Sequence, residues 1–352
     1  MRDDYSVLGK EVTPTSVDKE LRLLWEADDA STKASLMNFT IYSEAKDSLL
    51  ANCDAVGEIT REHSCRAILM ELDRDGGSPT LRSWITAHCN LAGGKKAVCC
   101  EQVAFKIDGY TSGIVRHTLF SHLESDLPLV LWWQGNFSES FRESFYSKVD
   151  RLLVDSSDWD SPSSEFKRVE TAIKEEPNLV VQDLAWTRTH QFRIAFAALT
   201  DNPLVLQRLA DIQKIKVIAD EKYRTSALQL LAWITELSHY QISSKEMEEK
   251  GDYFIMTKPN GGEVACSCSY DATYEGVNAL EVDFGDLILR IENEFDRPLL
   301  HQKLFLKGEK IHSVHCPSDA DTTVELITSQ LSRGSKNSLF KRILPLFLKM
   351  LG

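Results

Sequence analysis

The segment Leu127-Pro128-Leu129-Val130-Leu131-Trp132-Trp133-Gln134-Gly135 constrains the fold of this chain more than any other stretch. A short run of large apolar residues, entered through a proline and closed by a glycine, suits a strand in a sheet covered on both faces. Side chains alternate along a strand, so Trp132 and Trp133 project to opposite faces and each needs apolar cover. Such cover implies helices on both sides of a sheet, an α/β arrangement. A second phrase, Asp183-Leu184-Ala185-Trp186-Thr187-Arg188 followed by Phe192-Arg193, reads as the opening of a helix. Asp183 is placed to cap it, and Leu184, Ala185, Arg188, Phe192 and Phe196 return at helical spacing.

Around these phrases the pattern divides the chain in three. Residues 1–34 read as an N-terminal arm with one short amphipathic helix at Leu21, Leu23, Leu24 and Trp25. Residues 35–174 read as an α/β domain with a mixed sheet and helices on both faces. Its expected strands lie at 36–42, 66–72, 83–89, 98–107, the tryptophan pair and 151–155, and its helices at 44–61, 111–123 and 138–148. The runs 83–89 and 98–107, joined through a Gly93-Gly94 turn, are close enough to pair antiparallel. Residues 175–352 read as an α+β domain with a largely antiparallel sheet. There a strand at 212–218 and a helix at 225–237 precede strands at 253–258, 263–270, 280–291, 302–306 and 310–315, with helices at 319–332 and 337–351.

The charge balance excludes one class of partner. A formal net charge of -13 opposes nucleic-acid binding, which rests on lysine and arginine against phosphate. Every apolar run is far shorter than the roughly 20 residues a bilayer requires, so no membrane span is expected. The start Met1-Arg2-Asp3-Asp4-Tyr5 is polar, with no apolar stretch behind it, and a cytoplasmic protein is the expectation.

The search for catalytic motifs is negative. No Gly-x-Gly-x-x-Gly follows a strand, and Gly94-Lys95 has Cys89 where a phosphate loop needs its first glycine. Gly109-Tyr110-Thr111-Ser112-Gly113 carries threonine where a nucleophile elbow needs serine. Asp73-Arg74-Asp75-Gly76 lacks the later carboxylates of a calcium loop and reads as a turn. None of the eight cysteines forms Cys-x-x-Cys, and reduced cysteines acting as small apolar residues are expected. The tightest donor group is His312, His315 and Cys316, to which Cys266 or Cys268 would add a fourth ligand if the strands paired suitably; otherwise these are half-buried residues on neighbouring strands. No catalytic residue, cofactor or metal is therefore expected.

Three features stay open between structural and functional readings. Trp132 and Trp133 fill the core or mark a contact. Asp183, Trp186, Arg188 and Arg193 gather a helix start with two guanidinium groups, suited either to an inter-domain ion pair or to a bound phosphate or carboxylate. The stripe Leu339, Phe340, Ile343, Leu344, Phe347 and Leu351 must be buried on its own domain, in a partner's groove or on a membrane surface.

Together the two opening phrases resemble the glucose-6-phosphate dehydrogenase assembly proteins of the OpcA family. Arg61-Glu62-His63-Ser64-Cys65-Arg66-Ala67-Ile68 is similar to that family's helix end running into its first marked strand, with Ser64 where proline often stands. Arg151-Leu152-Leu153-Val154-Asp155-Ser156-Ser157 is similar to its next strand and acidic turn. The likeness runs from about residue 60 to about residue 200. It implies a non-catalytic subunit that binds glucose-6-phosphate dehydrogenase, promotes its active oligomer and activates it allosterically, feeding the oxidative pentose phosphate pathway. It also implies a redox switch at an exposed cysteine pair as one option. The alternative is a sugar-phosphate-binding enzyme or sensor built on Arg188 and Arg193.

Overall fold

The computed structural model describes residues 5–27, 35–92, 95–109, 112–248, 250–270, 275–319, 322–333 and 338–352. The Gly93-Gly94 turn and Tyr110-Thr111 of the elbow-like string lie outside the described residues. The chain forms two compact units, one of Met1–Asp155, Lys167–Gln182 and Ile327–Lys336, the other of Ser156–Phe166, Asp183–Leu326 and Asn337–Gly352. The fold is α/β with two eight-stranded sheets.

The first sheet contains β1 (Lys10–Val12), β2 (Asn38–Ser43), β3 (Arg66–Asp73), β4 (Thr80–Ala92), β5 (Lys95–Asp108), β6 (Leu129–Trp133), β7 (Arg151–Val154) and β8 (Val180–Asp183). Its order is β1-β4-β5-β3-β2-β6-β7-β8. Strands β5, β3, β2, β6 and β7 run parallel, as their near-continuous apolar sequences require, while β4 returns antiparallel along β5 and β1 along β4. Helices α1 (Val17–Ala27), α2 (Ser48–Ile59), α3 (Ser112–Ser121) and α4 (Glu143–Tyr146) accompany them. This is a doubly wound order: α2 carries the chain from β2 to β3 on one side, and β6 enters on the other.

Both tryptophans are core residues, Trp132 7% and Trp133 0% exposed. The Trp133 ring lies 4.1 Å from Tyr42 and 5.6 Å from both Phe137 and Phe141, an aromatic cluster that anchors β2 to β6. The helix expected over 138–148 shrinks to α4. The Arg168 guanidinium donates hydrogen bonds to the carbonyls of Phe137, Ser138 and Phe141 and so holds this stretch as a turn ahead of α4.

In the second unit, β9 (Lys214–Ala219), β10 (Gln241–Glu248), β11 (Gly251–Thr257), β12 (Glu263–Tyr270), β13 (Val277–Asp283), β14 (Leu287–Glu294), β15 (Leu299–Leu306) and β16 (Glu309–Pro317) form a sheet of order β10-β11-β12-β9-β13-β14-β15-β16. Every pairing is antiparallel except β12 with β9. The single strand expected at 280–291 is two strands, β13 and β14, because Gly285 adopts a left-handed φ of +96° and Asp283 Oδ1 accepts its N–H at 2.7 Å.

The remaining helices are α5 (Pro162–Glu175), α6 (Leu184–Thr187), α7 (His190–Thr200), α8 (Pro203–Leu206), α9 (Arg224–Leu237), α10 (Thr323–Ser332) and α11 (Ser338–Leu351). Helix α9 packs on β9 and β12, and α7 on β14 and β15. Alternation then leaves Leu287, Leu289 and Ile291 beneath the helices and Ile288, Arg290 and Glu292 on the opposite face.

The C-terminal stripe is buried within this unit, α11 packing on α9. Phe347 meets Phe166 at 4.9 Å and Phe340 lies 6.0 Å from Trp186. Phe340, Ile343, Leu344, Phe347 and Leu351 are buried, joined by Leu346 and Met350, whereas Leu339 is 47% exposed. Five of the six expected stripe residues are thus buried, and the stripe widens to Leu346 and Met350 while Leu339 stays outside. Pro345 sits on the outer face, where its lost N–H costs least.

Candidate functional site

An open doubly wound sheet binds its ligand outside the carboxyl ends of the strands at the switch point. Here that place lies beyond Ser43 of β2 and Trp133 of β6, where α2 begins. A phosphate held there needs free N–H groups at the helix start and a glycine loop that lets it approach. The loop Ser43-Glu44-Ala45-Lys46-Asp47 contains no glycine. The chain fills the position itself: Leu49 N–H donates to Glu71 Oε2 at 3.0 Å and Ser48 Oγ to the same oxygen at 3.3 Å. Glu71 is 1% exposed, and Lys106 Nζ stands 3.4 Å from its other oxygen.

Across the crevice, Gln134 Nε2 donates to Asn52 Oδ1 at 2.8 Å and Asn52 Nδ2 returns a bond to Gln134 Oε1 at 3.2 Å. Arg74 closes the adjoining rim, with Nε and Nη2 each 3.1 Å from the Glu44 carboxylate and Nη2 2.7 Å from Ser140 Oγ. Burial, then the Glu44 charge, pushes the Tyr42 phenol up, so it keeps its proton and donates a hydrogen bond to Glu44. These residues do not fit a dinucleotide. The space for its pyrophosphate holds a carboxylate, and the wall it would cross is tied by a reciprocal amide pair.

The second sequence phrase forms a structural knot in the other unit. Asp183 caps α6 by accepting from Ala185 N at 3.0 Å. Its fully buried carboxylate also accepts from Ser156 N at 3.0 Å, Ser156 Oγ at 2.6 Å and Gln229 Nε2 at 2.6 Å. The expected single helix breaks into α6 and α7, because Thr189 Oγ1 and the Arg193 guanidinium both donate to the Trp186 carbonyl. Arg193 stacks 3.5 Å above the Trp186 ring and is 7% exposed.

Arg188 goes elsewhere. It donates to Ser157 Oγ at 2.9 Å, stacks on Tyr223 at 5.4 Å and borders a cavity of about 440 Å³. Arg188 and Arg193 therefore go to different partners, Arg193 donating inside the helix turn and Arg188 to Ser157. Arg188 and Arg297 on the cavity wall face Glu275, Glu294, Asp296 and Asp319, a balance that opposes a phosphate.

The expected donor group is also split. His312 and Cys316 pair in register with the buried Leu304 and Leu300, whereas His315 pairs with His301 on the opposite face. Cys266 and Cys268 lie on β12, five strands from β16 and hence about 24 Å away. The group that does form, Glu294, His301 and His315, was hidden in the sequence because its members come from three strands. The cysteine expectation needs one correction. Cys89 and Cys99, directly opposite on β4 and β5 with Cα atoms 4.1 Å apart, form a disulfide. Cys53, Cys65, Cys100, Cys266 and Cys268 are buried free thiols, and burial pushes Cys266 up to about 12.

Residues 56–171 match the family model described as the glucose-6-phosphate dehydrogenase subunit N-terminal domain, and residues 179–344 the one described as its C-terminal domain. The chain belongs to the OpcA family of glucose-6-phosphate dehydrogenase assembly proteins. The match extends well past the region legible in the opening motifs. No curated protein matches this OpcA family chain. Among solved structures it is similar to the 3-ketoreductase KijD10 from Actinomadura kijaniata, in complex with TDP-benzene and NADP, at 9% identity over 90% of this chain and 95% of that one, TM-score 0.50. UDP-N-acetylglucosamine 3-dehydrogenase GnnA from Acidithiobacillus ferrooxidans has 9% identity over 89% of this chain and 96% of that one, TM-score 0.43. At such identity the likeness to KijD10 concerns the fold alone. Among the described residues no helix is long and apolar enough to cross a membrane.

Proposed function

We propose that this OpcA family chain is a non-catalytic, cytoplasmic subunit that binds glucose-6-phosphate dehydrogenase, promotes its active oligomer and activates it allosterically in the oxidative pentose phosphate pathway. The observation that carries the non-catalytic reading is the occupied switch point: Glu71 caps α2 where a dinucleotide's pyrophosphate would sit, and Asn52 and Gln134 bridge the crevice. The family match supports the partner. Activation requires that the subunit bind the active dehydrogenase better than the inactive form, and about 1.4 kcal/mol of difference gives a tenfold shift. Trp132, Trp133, Trp186 and Arg193 are buried and act as scaffold; of the remaining contact candidates Arg188 is partly exposed and Leu339 exposed.

The decisive experiment mixes the purified chain with the dehydrogenase of the same organism, measures oligomer mass by light scattering, and assays activity at subsaturating glucose 6-phosphate. The expected result is a stable complex, a larger active oligomer and faster NADPH production, with none from the chain alone. NADPH formation by the isolated chain, or an unchanged dehydrogenase, overturns the proposal. The alternative, a sugar-phosphate sensor, is disfavoured by the four carboxylates that share the cavity wall with Arg188 and Arg297. Saturable binding of glucose 6-phosphate by the chain alone, abolished in Arg188→Ala, would favour it.

A further inference from the structure

We propose that Glu294, His301 and His315 form a binding site for one divalent first-row transition ion, with zinc the best fit. The three side chains come from adjacent strands β14, β15 and β16. His301 is paired in register with both Glu292 and His315, and Glu294 follows Glu292 on the same sheet face. Their donor atoms converge: His315 Nε2 is 2.8 Å and His301 Nδ1 3.3 Å from the same oxygen, Glu294 Oε1. All three ligand atoms lie within 4.8 Å of one another. Donors bound at zinc's usual 2.0–2.2 Å in a tetrahedral site stand about 3.3 Å apart, so little movement assembles the set. The half-exposed His315 ring, now stacked 4.1 Å from His301, needs only to rotate outward.

The surroundings suit an ion. Ser313 Oγ meets His301 Nε2 at 2.7 Å, an outer partner that orients the ring; in the tautomer whose Nε2–H donates to Ser313 Oγ, Nδ1 carries the lone pair that would ligate. Neutral imidazole and ionised carboxylate are the ligating forms. The nearby Glu292 is engaged by Arg290 at 3.1 Å and by Lys303, so it does not compete for the ion. Two imidazoles with one carboxylate and no thiolate favour zinc or cobalt over magnesium or calcium. Three protein ligands leave a coordination position open, and Glu294 also lines the 440 Å³ cavity.

The test uses the full chain, stripped with a chelator and titrated with zinc chloride by calorimetry and with cobalt chloride by absorption. One ion per chain is expected, with a cobalt spectrum free of thiolate charge transfer. His301→Ala and His315→Ala should each weaken zinc by more than about 100-fold, beyond the cost of a lost outer partner, and Ser313→Ala by about tenfold. Cys316→Ser should leave affinity unchanged. His301, Ser313 and His315 lie away from the helix-covered face, and an unchanged melting temperature without metal confirms that each variant folds. Unaltered uptake in the His301→Ala/His315→Ala double variant, a thiolate band, or no binding below about 1 mM overturns the proposal.

Discussion

The Leu49 amide donates a 3.0 Å hydrogen bond to the buried carboxylate of Glu71, a residue 22 positions further along the chain. That one contact places an internal negative charge at the start of α2, where a helix dipole and free N–H groups would otherwise receive a phosphate. The start of α2 is thereby satisfied from within the chain.

Removing this contact should be costly. Glu71→Ala leaves the Leu49 N–H and Ser48 hydroxyl without their acceptor and Lys106 without the carboxylate 3.4 Å away. A loss of about 3 kcal/mol is expected, the range for breaking a buried pair and a helix cap together. Urea denaturation compared with wild type checks it.

The C-terminal helix separates stability from binding. Phe347 is 0% exposed and meets Phe166, so Phe347→Ala should cost about 3–5 kcal/mol and lower the melting temperature sharply. Leu339, 47% exposed, should tolerate alanine within about 0.5 kcal/mol. If Leu339→Ala keeps its melting temperature yet loses activation of the dehydrogenase, Leu339 belongs to the contact surface.

The disulfide makes a countable prediction. Alkylation of the denatured, unreduced chain should label six of the eight cysteines, Cys89 and Cys99 being the protected pair. Mass spectrometry reads the number directly. Replacing both by serine should cost about 2–3 kcal/mol, since the bond closes only a short loop.

His122 should make the first unit sensitive to mild acid. Burial depresses its pKa below 6.5, with Asp18 pulling it up and Arg66 and His117 pushing it down. Its Nδ1 is buried without a hydrogen-bond partner among the described residues, and its ring stacks 5.0 Å from Phe105. The unfolded chain therefore takes up a proton that the folded chain refuses. The stability from this residue is complete above about pH 6.5 and is lost as pH falls toward the folded pKa, by at most about 1.4 kcal/mol per pH unit. His122→Phe should flatten that part of the stability profile, as measured by denaturation at pH 7, 6 and 5.

Local chemistry was enough to place most elements. Trp132 and Trp133 announced a strand buried on both faces, Asp183 announced a helix start, and the C-terminal stripe announced a helix. Each rests on a periodicity or a cap confined to a few neighbouring residues. Where such signals were weak the elements were missed: Gln241–Glu248 is an exposed strand with little apolar alternation, and Val180–Asp183 is only four residues long.

The sequence by itself determined most of the segments that become strands and helices, which of their faces need cover, and, through its motifs, the family. Only the tertiary structure decided what those segments bring together. Asn52 reaches Gln134 across 82 residues, Cys89 faces Cys99, Arg193 is spent on Trp186 while Arg188 borders a cavity, and Glu294 and His301 join His315 in place of His312 and Cys316. The physical reason is register. A strand's own pattern says which side chains share a face, but its neighbours and their offset are set by the packing of the whole sheet, and one residue of slip sends every donor to the other side.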